Sequence, residues 1–319
     1  MKGGLVTQPA FFLSVFLGMI SKKEQFLQKD RLIKGITSDG FFKLSVVKTT
    51  EAVQLASQKH GLSPLAAVIL GRALTGTILL AGELKGEERI RVDLQGNGPL
   101  EHVITEANAV GEMRGYVANP LAELDYETAS GIGDGLGLGV LTFTKTLYNE
   151  AHPTTGTVEL VKGNVSEDIA YYLFQSEQIP SAITLDVQLD KAGNILAAGG
   201  ILVQALPGAP EDAIDALQAN ITALMPIGER FLAGDYIDTL MDAVAGSLGA
   251  KELDRNPVHY FCRCTKDRFV TALSMLDLNE LTAMSETTQE LVCHYCNNVY
   301  KIEPVEIKGL IRDKKIKMN

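Results

Sequence analysis

Four cysteines, Cys262, Cys264, Cys293 and Cys296, are the only ones in the 319-residue chain, and they fall in two close pairs, C-x-C and C-x-x-C. Zinc prefers soft thiolates at the corners of a tetrahedron, with each sulfur about 2.3 Å from the metal. A pair spaced by one or two residues places both sulfurs on one ion without a long loop. The two pairs together therefore make a complete tetrathiolate set for one Zn2+. Asn297-Asn298 behind the second pair suits the tight turn of a zinc knuckle, because Asn tolerates positive φ. Thr265 is placed to cap a helix carrying Val270, Leu273 and Leu276. His259 and His294 read as solvated neighbours of the site. Arg263, Lys266 and Arg268 either offset its negative charge or form an ordinary solvated surface.

A closed tetrathiolate site is structural by default, but the C-x-C half leaves room for redox chemistry. Cα atoms two apart on an extended segment lie at about the upper limit of disulfide geometry, so a bridge there is strained and labile. Structural zinc contributes roughly 10–16 kcal/mol to small modules, whereas whole domains are stable by only about 5–15 kcal/mol. Residues 256–319 are too few to bury a strong core unaided. Oxidising the thiolates would then release the metal, unfold this module and loosen whatever rests on it.

The remaining composition excludes several functions. A formal net charge of −10 and the absence of tryptophan argue against a general nucleic-acid binder, which needs a basic stripe and stacking platforms. No cysteine is available to staple the first 261 residues, which is the pattern of a reducing compartment, so the protein is expected to be cytoplasmic. The apolar run Ala10 to Ile20 is too short to span a bilayer and is followed by no small-x-small cleavage site. Residues 1–29 therefore read as a dispensable extension. Gly131 to Gly139 fits neither a dinucleotide nor a Walker loop, and Asp134 within it would repel phosphate. Asp93, Glu101 and Glu106 fall on solvated strand faces or in turns, and His60, His102 and His152 read as isolated. Nothing points to an enzyme.

The elements that must position the cysteines come in three stretches. Residues 30–208 read as an α+β domain of mixed sheet and helix. Its expected strands lie at 41–47, 89–94, 102–107, 113–118, 139–147, 156–162, 182–189 and 195–205. Its helices start at Thr49 or Thr50, at Ser63-Pro64 and at Ser166. Short turns favour antiparallel pairing. Residues 209–255 read as a helical linker, with one apolar stripe at Ile214, Leu217, Ile221 and Leu224. A second stripe runs through Ile237, Leu240, Met241, Val244 and Leu248. Such short helices are marginal without a partner surface. Residues 256–319 form the cysteine module.

Several phrases together resemble the thirty-three-kilodalton heat-shock protein family, the redox-regulated holdase chaperones. They are GRALTGTILLAGELKGEERIRVDLQGNGPL (71–100), YYLFQSEQIPSAITLDV (171–187), GGILVQALPGA (199–209) and FCRCTKDRF…LVCHYC (261–296). The resemblance implies an N-terminal chaperone domain, a metastable helical linker and a C-terminal zinc redox switch. It implies that the reduced protein holds zinc through Cys262, Cys264, Cys293 and Cys296 and is inactive. Peroxide or hypochlorite, with unfolding stress, would form the bridges Cys262–Cys264 and Cys293–Cys296. Zinc would leave, the linker would unfold, and a dimeric active form would hold unfolding client proteins without ATP. Neither nucleic acid nor membrane is an expected partner. Two other readings compete: a zinc-dependent nucleic-acid module using the basic tail Lys308 to Lys317, and a thiol oxidoreductase using Cys293 and Cys296. The oxidoreductase would need its C-x-x-C at a helix N-terminus, whereas Glu290-Leu291-Val292 reads as strand.

Overall fold

The computed structural model describes residues 29–318 apart from Tyr126, Thr128 and Met225, so the extension expected at the N-terminus lies, but for Lys29, outside the described residues. Two antiparallel sheets enclose one buried helix. The first sheet has the order β10-β1-β2-β9-β8, from Ala250–Pro257, Arg31–Thr37, Phe42–Lys48, Ile195–Ala205 and Ser181–Leu189. The second has the order β11-β5-β4-β3-β6-β7, from His259–Tyr260, Glu112–Val117, His102–Asn108, Arg89–Gly96, Gly139–Thr146 and Thr154–Glu159. Among the described residues, every pairing in these two sheets is antiparallel except β11 on β5.

Helix α1 is Thr50–His60 and helix α2 is Pro64–Ala81. Ser63 caps α2 by accepting from the Ala66 N–H at 3.3 Å, and Pro64 at its first position lacks a donor that would otherwise be unsatisfied. The helix is apolar on most sides because it lies in the core shared by both sheets. Its 18 residues are long and apolar enough to cross a bilayer by composition, yet 83% of them are buried inside the fold. Helix α3, Ser166–Gln175, begins where expected, with Val165 at its N-cap and the Asp168 side chain in its first turn reaching back to the N-cap amide. That buried carboxylate accepts the backbone N–H groups of Val161, Lys162, Gly163 and Val165. The glycine-rich stretch carries a single 3-10 turn, Ile132–Gly135, with Asp134 accepting from the Ser130 and Gly131 amides.

The stretch 209–249 folds as three helices, α4 (Glu211–Ala223), α5 (Ile227–Leu232) and α6 (Ile237–Ala245). They lay Leu217, Ile221, Leu224, Ile227, Leu240 and Val244 on the outer face of the first sheet, against Ile33, Phe42, Leu44, Val46, Ile201 and Val203. Leu32, Val47 and Leu202 point the other way, into the α2 core. Strand β2 is thus apolar on both faces, which is why its sequence runs FKLSVVK without clean alternation. Strand β1 went unrecognised in the sequence for the same reason.

One expectation is overturned here. The linker was read as helical to residue 255, but Ala250–Pro257 is strand β10, paired with β1 from Arg31↔Pro257 to Thr37↔Ala250. The segment AKELDRNP carries no apolar period to announce a strand. An edge strand needs only backbone to complete its ladder, and this one shows most of its side chains to solvent. Gly35 in β1 makes room for it, since a Cβ there would meet Lys251 O and Met241 Sδ, both at 2.9 Å.

The C-terminal module comprises α7 (Lys266–Leu273), α8 (Leu278–Met284), the hairpin β12–β13 (Gln289–Val292 and Val299–Ile302) and α9 (Pro304–Met318). Its fully buried core is Leu273, Leu281, Ile302 and Ile307. So small a core cannot offset the ordering of some sixty residues at about 1–2 kcal/mol each for backbone alone.

Two predictions concern the junction of sheet and module. Gly111 sits at φ +92°, and a Cβ there would stand 1.9 Å from Pro257 O. Gly111→Ala is expected to lower stability by about 1–2 kcal/mol and to speed amide exchange in 257–261; unchanged exchange there would remove the packing argument. Asp30 is buried, accepts the Ala52 N–H at 2.8 Å and has a second oxygen without a hydrogen-bond partner. Burial pushes its carboxyl up from 3.8 to about 7. The folded state therefore keeps a proton that the unfolded state loses, and this contribution to stability fades as pH rises from about 4 to about 7. Urea midpoints at pH 5 and pH 7 should show that loss, and Asp30→Asn should flatten it.

Candidate metal centre

The first cysteine pair is delivered by the second sheet. Strand β11 adds to β5 through His259↔Glu112 and Tyr260↔Met113, and the Phe261 N–H donates to Met113 O at 2.9 Å. Cys262 and Cys264 follow directly, and the Thr265 hydroxyl caps α7 by accepting from the Arg268 N–H. The second pair leaves β12 in a knuckle. The Cys296 and Asn297 N–H groups both donate to Cys293 O, at 3.2 and 2.7 Å, and the Cys293 N–H donates to Asn298 O at 2.9 Å. Asn297 takes φ +55°, the left-handed conformation its type tolerates.

These two turns bring all four Sγ atoms within 4.8 Å of one another. Cys262 and Cys293 stand 3.8 Å apart, and Cys264 and Cys296 stand 3.4 Å apart. Sulfurs bound tetrahedrally to zinc at about 2.3 Å are separated by about 3.8 Å, so the four residues fit the ion. His259 and His294 stand outside this cluster among the described residues. Burial raises the Cys293 thiol, with the nearby Cys262 charge adding to it, and burial raises Cys296 far above the ordinary thiol range. Burial works against Cys264 as well, but hydrogen bonds from the Tyr300 hydroxyl, 3.1 Å from its sulfur, and from the other thiols hold it below its usual value. Such a set becomes four thiolates only with a divalent cation to stabilise their charge.

The counter-charge comes from an unexpected place. Arg263 is held by Glu112 through two bonds of 2.8 and 3.0 Å, and Lys266 by Glu306 at 2.6 Å. The cation that reaches a sulfur is Arg114 on β5, 3.6 Å from Cys262 Sγ. Its guanidinium also donates to Glu106 at 2.7 Å and lies 4.2 Å from the centre of the Tyr295 ring. In the sequence Glu-Met-Arg-Gly-Tyr-Val, Arg114 and Tyr116 look like the solvent side of a half-buried strand. The only hint was that two residues of this kind, Arg and Tyr, share one face. Tyr116 meets the Tyr295 ring edge-on, with centroids 5.5 Å apart.

The module also grips the end of α1. Asn297 donates its side-chain N–H to Lys59 O at 2.7 Å, one of the carbonyls that a helix end leaves without a partner. Lys59 returns a bond to Asn298 Oδ1 at 2.8 Å. Tyr260 reaches Tyr295 O at 2.5 Å, and His60 Nε2 stands 3.1 Å from the Tyr260 hydroxyl and 3.3 Å from Tyr295 O. Burial lowers the His60 pKa, which favours the neutral ring. His60, which read as isolated, is thus part of this interface. Asp93 pairs with His102 and Arg91, and Glu106 with Arg114, so none of these forms a carboxylate pair.

Removing the sulfur's cation should loosen the site. Arg114→Leu strands Glu106 and deletes the bond to Cys262, and partners of this kind are worth about 10–100-fold in metal affinity. Zinc transfer from the reduced protein to a chromophoric chelator should be about tenfold faster in this variant, and faster still in Cys262→Ser. Unchanged transfer in Cys262→Ser would contradict a four-thiolate site.

Comparison with known proteins agrees with this architecture. The model of the Hsp33 protein family matches residues 30–303. A 33 kDa chaperonin of Desulforamulus reducens is 34% identical over 288 residues, covering 89% of this chain and 98% of its own. A 33 kDa chaperonin of Thermus thermophilus is 37% identical over 298 residues, covering 89% and 87%. The crystal structure of the 33 kDa chaperonin of Thermotoga maritima, a heat shock protein 33 homolog, superposes with a TM-score of 0.83 at 32% identity, covering 90% of this chain and 99% of that one. With both sheets, the buried helix and all four cysteines within the matched span, the chain belongs to the Hsp33 family.

Proposed function

We propose that this protein is an ATP-independent holdase chaperone, not an enzyme, and that its metal centre is a redox switch. The observation that carries the reading is that one cluster of thiols organises a module with almost no core of its own. That module is continuous with the segment leading to the helices on the first sheet. In the reduced, inactive state Cys262, Cys264, Cys293 and Cys296 hold one Zn2+, which supplies the positive charge that keeps four thiolates together. Peroxide takes two electrons from each pair of thiolates, Cys262–Cys264 and Cys293–Cys296; each pair forms one S–S bond, and one peroxide takes up two protons from solvent and leaves as two waters.

Pairing between sequence neighbours is what such a switch needs. Cross-pairing of Cys262 with Cys293 and of Cys264 with Cys296 would staple the same two segments that the metal holds. Neighbour pairing leaves them free. Cys262 and Cys264 are half-buried while Cys293 and Cys296 are buried, so an oxidant meets the C-x-C half first. Loss of the module frees α4–α6 to lift from Phe42, Leu44, Val46, Ile201 and Val203. Exposure of a continuous apolar face is what holding an unfolding protein requires. The active form is a homodimer, and the protein works in the cytoplasm without nucleic-acid or membrane partners. The basic tail is used internally in part: Lys314 donates to Leu276 O and Lys308 pairs with Glu286.

The test is to treat the zinc-loaded protein with peroxide under mild heat, following zinc release, disulfide pairing by peptide mapping, and suppression of aggregation of an unfolding client. Release of zinc with suppression and neighbour bridges is expected. Release without suppression would remove the holdase reading, and cross-bridges would remove the pairing.

A further inference from the structure

A single stretch of chain, residues 250–261, forms one of the two outer strands in each sheet and ends at the first cysteine. Strand β10 closes the first sheet at β1. Val258 follows, buried, with its N–H donating to Asp30 O at 3.1 Å. Strand β11 then closes the second sheet at β5, the His259 N–H donating to Gly111 O at 2.9 Å. This cover is held by backbone more than by apolar packing. Lys251, Glu252, Leu253 and Asp254 are exposed, and the side-chain ties of β10 are polar, Arg255 to Asp238 and Glu252, and Asp254 to Lys34. The strands beneath differ: Leu32 and Ile33 of β1, and Met113 and Val117 of β5, are all buried.

We propose that the edges of β1 and β5 are the client-docking sites, that residues 250–261 guard them in the reduced protein, and that a client joins by strand addition. This rests on the redox-holdase reading above, which supplies the release. An uncovered edge offers a row of unpaired N–H and C=O groups, the template that folded proteins normally blunt with charge or cover. The matching partner is an extended, apolar-rich segment of an unfolding protein, because main-chain bonds give affinity without demanding a sequence. The structure already holds such a complex: the chain's own polar segment lies antiparallel on β1 and parallel on β5. Its charged side chains make it a cover that binds without apolar adhesion and so can be displaced.

Amide hydrogen exchange of the full-length protein tests this, read in peptides spanning 31–37 and 112–117. Both should be protected when reduced, exchange at least about tenfold faster once oxidised (about 1.4 kcal/mol of lost protection), and regain protection when a denatured client is bound. A client that is held while both peptides keep exchanging freely would overturn the proposal but leave the holdase reading intact; no suppression of aggregation at all would overturn both. Protection that returns with protein concentration alone would assign the edges to a second copy and overturn the client assignment. A ten-residue peptide of alternating valine and threonine should bind the oxidised protein at least tenfold more tightly than the same peptide N-methylated at alternate amides. Equal binding, or none by either, would overturn strand addition.

Discussion

Four sulfurs held within 4.8 Å are the constraint on which the C-terminal module depends. They draw together two segments some thirty residues apart in sequence, and the module's separate apolar core has four buried side chains, Leu273, Leu281, Ile302 and Ile307. Remove what keeps the sulfurs together and the module's own structure is a short hairpin, helices of eight, seven and fifteen residues on a small core, and scattered surface ion pairs, each worth about 0–1 kcal/mol. A metal held there, contributing roughly 10 kcal/mol or more, would have no substitute. The weak core is therefore the property that makes the cluster decisive.

The centre is also wired into the larger domain by groups that read its charge and shape. Arg114 bridges Glu106 of β4 to Cys262, so its guanidinium is shared between a carboxylate on the sheet and a sulfur of the module. A thiolate accepts such a bond strongly; a sulfur engaged in a disulfide has lost the charge that made it a good acceptor. Tyr260, Asn297 and Arg263 add bonds to backbone or carboxylate partners on α1 and β5 that depend only on the module keeping its shape. In the proposed switch, chemistry at sulfur and docking of the module would thus be one event, seen from two sides.

How much of this could be read from the sequence follows from which interactions are local. The four ligands, the Asn297 turn, the Thr265 cap and the Ser63-Pro64 start of α2 depend on neighbours a few residues away, and each left a mark in residue type and spacing. The strands from β3 to β9 alternate or are bounded by turns, and they too were legible. What escaped depends on distant partners. Strand β1 is covered on both faces by elements far along the chain, and β10 is a strand only because β1 offers it an edge. Arg114 lies 148 residues from the sulfur it contacts. Its role cannot be inferred from Arg263 and Lys266, whose nearness in sequence suggested the part that Glu112 and Glu306 in fact deny them.

The two kinds of cover on the first sheet explain an order of events. Helices α4–α6 hide its face by apolar burial, which resists removal in proportion to area. Strand β10 hides its edge through a backbone ladder with charged side chains, which water can replace group for group. The two are joined by Arg255 to Asp238 of α6, and α4 is joined to α6 where the Asn220 side chain donates to Val244 O at 2.9 Å. Chain order places β11, Val258 and β10 between the cysteines and these helices. In the proposed switch, disturbance at Cys262 would therefore reach the replaceable strand before the buried helices. Peeling β10 takes Arg255 away from α6 and leaves Met241 and Leu240 at a sheet margin that has lost its outer strand. A cover that starts to come off at its polar edge admits water under its apolar face, so the weakest contact in the sequence of layers governs the strongest.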